Sequence, residues 1–317
     1  MQRTEWHIIV NESAGSGKGK RVLNKTRHYL INQHIPFKVY STTHAGHEKE
    51  ITQQLISTTL IEWSANLELF PLLVIIGGDG TLHEVINTLA DYPNIPIAYL
   101  PGGSGNDFAR GANISRRTLK ALKHIEATTQ PKSLHLVKAY NQQTKQNYYG
   151  VNNLGIGLDA AIVKQANSSQ AKGNLNRMHL GALAYLFASI KVLREQQPFP
   201  VDVTFDQKKQ SFKRAYLCTV TNHPYFGGGV AIDPTANVLE PKLSLVVVER
   251  ISFIKILGLI CRLLLKTHLS SRHVNHFKAS TFEISTNESV YGQIDGEELD
   301  KEDFHLTFSI AQRLFWQ

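Results

Sequence analysis

Three short polar loops carry the residue types best suited to chemistry. They are Asn11 to Lys20, with glycines at 15, 17 and 19, then Gly77-Gly78-Asp79-Gly80-Thr81, then Pro101-Gly102-Gly103-Ser104-Gly105-Asn106-Asp107. Each follows an apolar run and leads into a helical pattern. Glycine at such a place lets main chain approach a phosphate, and a helix N-terminus adds unpaired N–H groups and a positive dipole end. Lys18 and Arg110 can neutralise phosphate charge. Asn11, Ser104 and Asn106 can hydrogen-bond a nucleotide. Asp79 and Asp107 are hard oxygen donors, suited to magnesium directly or through water. Known fingerprints do not fit: Gly19 stands where a Walker loop needs Ser or Thr, and Lys20 where a dinucleotide loop needs its third glycine. One such loop can simply close a strand–helix unit. Three at one edge, two with aspartates, point to a nucleotide site.

The elements that must position these loops alternate. Trp6–Val10, Phe37–Tyr40, Leu72–Ile76 and Ile97–Leu100 read as strands. Val22–Gln33, Glu48–Ile61, Leu82–Ala90 and Arg117–Ala127 read as helices. The five continuous apolar residues Leu72–Ile76 suit a strand buried on both faces. The alternation predicts a doubly wound α/β domain, in which ligands bind beyond the carboxyl ends of the strands. After about Gln130 short strand-like segments predominate: Leu134–Ala139, Tyr148–Asn152, Val201–Phe205, Ala215–Val220, Leu243–Val248, Thr281–Ser285 and His305–Ile310. Helical patterns near Leu175–Glu195 and Ile251–Thr267 interrupt them. The fold class is therefore α/β, with a second, β-rich, sandwich-like domain. The expected domains are residues 1–130, with 306–317 returning to them, and 131–305.

The motifs resemble those of the diacylglycerol kinase catalytic domain family. Gly77 to Asn87 resembles its GGDGT signature, and Pro101 to Arg110 its P-x-G-T-x-N-D-F-A-R block. Asn11 to Lys18 is similar to N-P-x-A-G-x-G-K, and Thr43 to His47 to a T-x-x-G-H segment. Asn153 to Ala160, Phe226 to Gly229 and Asp295-Gly296-Glu297 resemble its later signatures. The resemblance implies a two-domain lipid kinase using ATP and Mg2+, with Asn11, Lys18, Thr43, Gly77, Gly78, Asp79, Gly80, Thr81, Gly103, Ser104, Asn106, Asp107 and Arg110 at the nucleotide. It implies that Asp295 is the general base, with Glu297 two residues on. In an extended segment both carboxylates would share a side. Apart from the resemblance, Asp295-Gly296 reads as a hairpin turn before an acidic run ending at Asp303. The pattern departs in four places. Glu12 replaces a proline, Ser104 a threonine, and His135 an aspartate assigned to a magnesium–water network. Glu240-Pro241-Lys242-Leu243-Ser244 replaces a D-G-x-L-D segment able to hold a structural magnesium.

Composition agrees with such partners. The 317 residues carry Lys+Arg 34 against Asp+Glu 26, a net charge of +8 that favours polyanions or an anionic membrane surface. Hydrophobic residues at 42% exclude a disordered chain. Cys 2 excludes a disulfide scaffold. Ile8-Ile9-Val10 is too short for a signal peptide, and Lys255 and Arg262 interrupt the most apolar stretch. A cytoplasmic protein, peripherally associated with membrane, is expected. In Ile251–Thr267, Lys255, Arg262 and Lys266 fall on one helical stripe beside apolar residues. This is either a helix packed on the second domain or an interfacial element, supplemented by Lys172, Arg177, Lys208, Lys209, Lys213 and Arg214. His83 is expected to pack, Asp159 to cap a helix, and His268, His273 and His276 to lie at the surface. The expected partners are nucleotide and lipid, without nucleic acid, and a homodimer stays open. Alternative functions are phosphorylation of NAD or a sphingoid base, or nucleotide or lipid binding without catalysis.

Overall fold

Aliphatic runs ending in glycine or proline build the first unit. The computed structural model describes residues 3–167 and 190–317. They fall into two units, Met1–His135 with Gln312–Gln317, and Leu136–Ala311. In the first, β1 (Arg3–Val10), β2 (Phe37–Ser41), β3 (Leu69–Gly77) and β4 (Ile97–Pro101) form a parallel sheet in the order β2-β1-β3-β4. The helices are α1 (Ala14–Asn32), α2 (His47–Thr58), α3 (Asp79–Thr88), α4 (Asp107–Gly111) and α5 (Thr118–Ala127). α1 packs against α5 and α2 against α3. Strand alternation sorts the core: Trp6, Ile8 and Val10 join Leu72, Val74 and Ile76 against Leu23, Leu30 and Leu122. The order reverses between β1 and β3, the switch point beside which ligands bind in sheets of this kind.

The last residues complete this unit. Phe315 pairs in parallel with Ile97, and Trp316 stacks on Phe70 at 5.7 Å. The Trp316 indole N–H donates to the Ile125 carbonyl at 3.0 Å. The division between units falls inside a strand, β5 (Lys132–Asn141), rather than in a connecting loop.

The second unit is antiparallel and sandwich-like. It continues with β6 (Asn147–Gly150), β7 (Asn153–Gly157), α6 (Leu158–Asn167), α7 (Ile190–Glu195), β8 (Phe199–Phe205), β9 (Lys208–Thr221), β10 (Tyr225–Phe226), β11 (Val230–Ala231) and β12 (Leu243–Glu249). Then follow α8 (Phe253–Leu264), β13 (Val274–Ala279), β14 (Phe282–Thr286), β15 (Val290–Ile294), β16 (Glu297–Glu302) and β17 (His305–Phe315). The long β9 pairs with β8 through its first half, and with β7 and β12 through its second. Val203, Phe282, Leu245 and Phe308 lie in the core it spans. The predicted helix Leu175–Glu195 is seen only as Ile190–Glu195. Its remainder, with Lys172 and Arg177, lies outside the described residues.

Candidate active site

In the first unit the three loops meet main chain to main chain. Asn11 N–H donates to Ile76 O at 2.9 Å, and Gly102 N–H to Gly77 O at 2.7 Å. A Cβ on Gly103 would stand 2.5 Å from Gly78 Cα, and one on Gly15 would stand 2.6 Å from Gly102 O. Gly15, Ser16 and Gly17 all have left-handed φ, so α1 winds regularly only after a tight loop. Glycine at 15 and 103 is therefore required by the contact of loop with loop. Gly80 differs: a Cβ there would meet nothing within 4 Å, so it faces open space at the start of α3.

The side chains divide between shaping this junction and facing outward. Asn106, 1% exposed with φ 51°, accepts from Gly103 N–H at 2.8 Å and donates to Gly103 O at 2.7 Å. The sequence suggested that its amide serves the nucleotide, but both ends of that amide hold the loop. Asp79 Oδ2 accepts from Asp107 N–H at 3.0 Å and Oδ1 from Phe108 N–H at 3.2 Å, which caps α4. Each carboxylate oxygen has two acceptor positions. Asp79 can thus cap α4 and still accept from a metal-bound water, with the buried Asp107 as a second hard donor; this set fits Mg2+ held through water better than direct ligation by Asp79. Asp107 also meets Arg110 at 3.5 Å.

Lys18 Nζ lies 3.3 Å from Gly103 O, and burial, with Arg116 and Arg21 nearby, lowers its pKa. Ser104 is exposed at the loop tip. Lys18, Ser104 and Arg110 line an open depression of about 740 Å³ together with Arg116, Arg117 and Lys120. Those last three cations were missed from sequence. The Arg116-Arg117 pair ahead of α5 was the available signal. Their charges raise the local concentration of a polyanion.

Glu48, 5% exposed, was also missed. Its Oε1 accepts from Asn11 Nδ2 at 3.5 Å and from Thr81 Oγ1 at 3.4 Å, tying the first two loops to α2. Asn11 Oδ1 accepts from Ala14 N–H at 3.1 Å, and Thr43 N–H donates to His47 Nδ1 at 3.1 Å.

In the second unit Asp295 and Gly296 form the two-residue turn between β15 and β16, with φ of 53° and 94°. The hairpin reading is therefore right as geometry. Asp295 and Glu297 do not share one extended segment, so the condition for their carboxylates to share a side is not met; Glu297 begins β16 as an exposed residue paired with Ile294. The Asp295 carboxylate accepts from Val151 N–H and Asn152 N–H at 2.7 Å each and from Asn153 N–H at 3.1 Å. These bonds turn the chain between β6 and β7, where the sequence suggested one strand to Asn152. Near it His223 is buried, its pKa pushed down to about 4 by desolvation, so its ring is neutral at pH 7. Asp159 sits in the first turn of α6 and accepts from Ala160 N–H at 3.0 Å, from Thr219 and from Gln293. Burial pushes its pKa up to about 6 in spite of those bonds.

The family profile described as the diacylglycerol kinase catalytic domain matches residues 5–139. That described as the YegS C-terminal NAD kinase beta sandwich-like domain matches residues 152–308. The Bacillus subtilis protein named "Putative lipid kinase YtlR" is 30% identical over 309 residues, covering 96% of this chain and 97% of its own. This chain belongs to the diacylglycerol kinase and lipid kinase family. The diacylglycerol kinase of Bacillus subtilis is 26% identical over 294 residues, 92% of this chain and 88% of that protein. The crystal structure of "a putative diacylglycerol kinase" from Bacillus anthracis has the same fold, with a TM-score of 0.74 at 23% identity over 99% of this chain and 94% of that one.

The departures of this lipid kinase family member from the motif pattern have visible consequences. Glu12, in place of proline, accepts from Ser41 Oγ at 3.0 Å and links the first loop to the end of β2. At Asp233 the protein's own groups surround the carboxylate: His276 Nε2 at 2.9 Å, and Thr235 N–H and Oγ1 at 2.8 and 2.7 Å. His268, expected at the surface, is buried and donates through Nε2 to Ile232 O at 2.7 Å. Burial opposes ionisation of Asp233, but the bonds from His276, Ser244 and Thr235 outweigh it and hold its pKa well below the ordinary value. A lowered carboxyl pKa contributes stability that is complete above the unfolded value of about 3.9 and is lost as pH falls below it. The melting temperature of the wild type is expected to drop faster than that of Asp233→Asn between pH 5 and pH 2, roughly the window of those pKa values. Parallel pH profiles from thermal unfolding would refute this.

Proposed function

We propose that this protein is an ATP-dependent lipid kinase that transfers the γ-phosphoryl group to the free hydroxyl of diacylglycerol or a related lipid. Lys18 and Arg110, backed by Arg116, Arg117 and Lys120, hold and neutralise the phosphates. The main chain at Gly78 to Thr81 and at Gly103 shapes the phosphate cradle. Magnesium, when bound, shields charge on the polyphosphate, and Asp79 and Asp107 are the residues that would hold it through water. Asp295 takes the proton of the acceptor hydroxyl as its oxygen bonds to the γ-phosphorus. The bond from that phosphorus to the β–γ bridging oxygen breaks, and ADP leaves.

The observation that supports a lipid acceptor is an apolar cavity inside the second unit. Leu158, Leu193, Leu217, Val246, Ile256 and Leu263 line it, and its polar neighbours are Asp159 and His268. The cavity, of about 90 Å³, has room for a few CH₂ groups of an acyl chain, each gaining about 0.8 kcal/mol on burial. NAD has no group of that kind. With labelled ATP and a panel of acceptors, product is expected from diacylglycerol in mixed micelles and not from NAD. Phosphorylation of NAD in the absence of lipid, or nucleotide binding with no transfer to any lipid, overturns the proposal.

A further inference from the structure

The helix α8 has three faces where a packed surface helix has two. Ile256, 5% exposed, points inward with the half-buried Leu259, Ile260 and Leu263, and these four line the apolar cavity. A second sector is apolar yet faces away from the described residues. Ile254 is 82% exposed, Leu265 73%, Leu264 43% and Leu257 38%, with Gly258 and Cys261 exposed between them. The third sector holds Lys255 and Arg262 side by side, by the helical period of about 3.6 residues, and Lys266 follows just past the helix end with a left-handed φ of 58°.

Charge along this segment of the chain has one sign. From Arg250 to Phe282 the sequence has no Asp or Glu, while it has Arg250, Lys255, Arg262, Lys266, Arg272 and Lys278. Single exposed apolar residues are ordinary, but four within about three turns beside basic residues are the pattern of a helix lying in a lipid interface. A second copy of the chain would face cation with cation here. An anionic bilayer offers hydrocarbon to the one sector and phosphate to the other.

We infer that the outer face of α8 docks this protein on an anionic lipid bilayer, Ile254, Leu257, Leu264 and Leu265 entering the acyl boundary and Lys255 and Arg262 engaging lipid phosphates. The inference gives the proposed lipid kinase its partner surface and rests on that reading for its purpose, but docking needs no turnover. The helix then covers the apolar cavity on one side and meets lipid on the other.

The chain carries its own reporter. Of its two cysteines Cys261 is exposed in the middle of the apolar sector, while Cys218 is buried. An environment-sensitive fluorophore on Cys261 of the full chain is titrated with vesicles of phosphatidylcholine alone and of phosphatidylcholine with phosphatidylglycerol, and binding is measured in parallel by co-sedimentation. The expected result is sedimentation with a blue shift on anionic vesicles, weakening as salt is raised. Lys255→Ala with Arg262→Ala should lower vesicle affinity about 25-fold, from roughly fivefold per cation. Ile254→Ser with Leu265→Ser should lower it at least about 30-fold. All four positions are exposed, so thermal unfolding should stay at the wild-type value.

Sedimentation without a blue shift would place the docking surface elsewhere and overturn the inference. So would a label already shielded before vesicles are added, or a dimer that Ile254→Ser dissociates with no vesicle binding. Turnover of a short-chain, water-soluble diacylglycerol separates the two readings. The α8 variants should retain it; its absence from the wild type while vesicles still bind would remove the kinase reading and leave the docking face standing.

Discussion

Asp295→Asn is expected to lower the rate of phosphoryl transfer by about two to four orders of magnitude, the usual span for loss of a general base. The KM for ATP should hold, because the residues assigned to the phosphates belong to the first unit. A structural effect accompanies the chemical one and must be separated from it. Asparagine accepts φ near 53°, so the turn itself survives. Its amide oxygen can still accept from Asn152 and Asn153, but its NH₂ would face the Val151 N–H that Oδ2 now accepts. Losing that buried pairing costs about 1–3 kcal/mol. Steady-state kinetics and thermal unfolding on the same preparation resolve the two. A variant that is less stable but turns over at the wild-type rate would reduce Asp295 to the residue that turns the chain at Val151–Asn153.

The second large effect concerns Gly103→Ala. The added methyl would stand 2.5 Å from Gly78 Cα and 3.0 Å from Asn106 Oδ1, and neither can swing away as a flexible side chain would. Forcing such a contact costs roughly 1–3 kcal/mol or more. It would also break the Asn106–Gly103 pair that sets the third loop. Loss of stability in the first unit and a fall of at least tenfold in ATP affinity are expected, the tenfold fall corresponding to about 1.4 kcal/mol. Gly80→Ala is the contrast. It adds a methyl to open space in the first turn of α3 and should leave the melting temperature unchanged or slightly raised. Calorimetric ATP titration and thermal unfolding of both variants test the pair. Equal behaviour would mean that the loop junction does not depend on the absence of a Cβ.

Much of the architecture was legible because burial on both faces leaves a strong mark. The run Leu72–Ile76 had to be a central parallel strand, and the alternation around it a doubly wound unit. The weaker marks were lost. Glu297–Glu302 read as a solvated acidic run, yet it is β16, the hairpin partner of β15. An edge strand buries little and tolerates charge, so its side chains do not announce it. Lys208–Arg214 escaped in the same way: the charged half of β9 pairs with β8 through main chain. His268 was placed outside because a histidine among polar neighbours says nothing of the carbonyl of Ile232, which it meets from 36 positions away.

The amino-acid order alone determined which residue types reach the strand ends, since the loops that bear Gly15, Gly77 to Thr81 and Gly103 to Asp107 are bounded by local apolar runs. It also determined the signatures by which the family is known. What each polar atom does was decided only in three dimensions. Asn106 spends its amide on Gly103, Asp79 caps α4, and Asp295 gathers three N–H groups from residues more than 140 positions earlier. The physical reason is that a buried polar group must find a partner wherever folding brings one, and hydrogen bonds between distant segments leave no periodic trace in the chain.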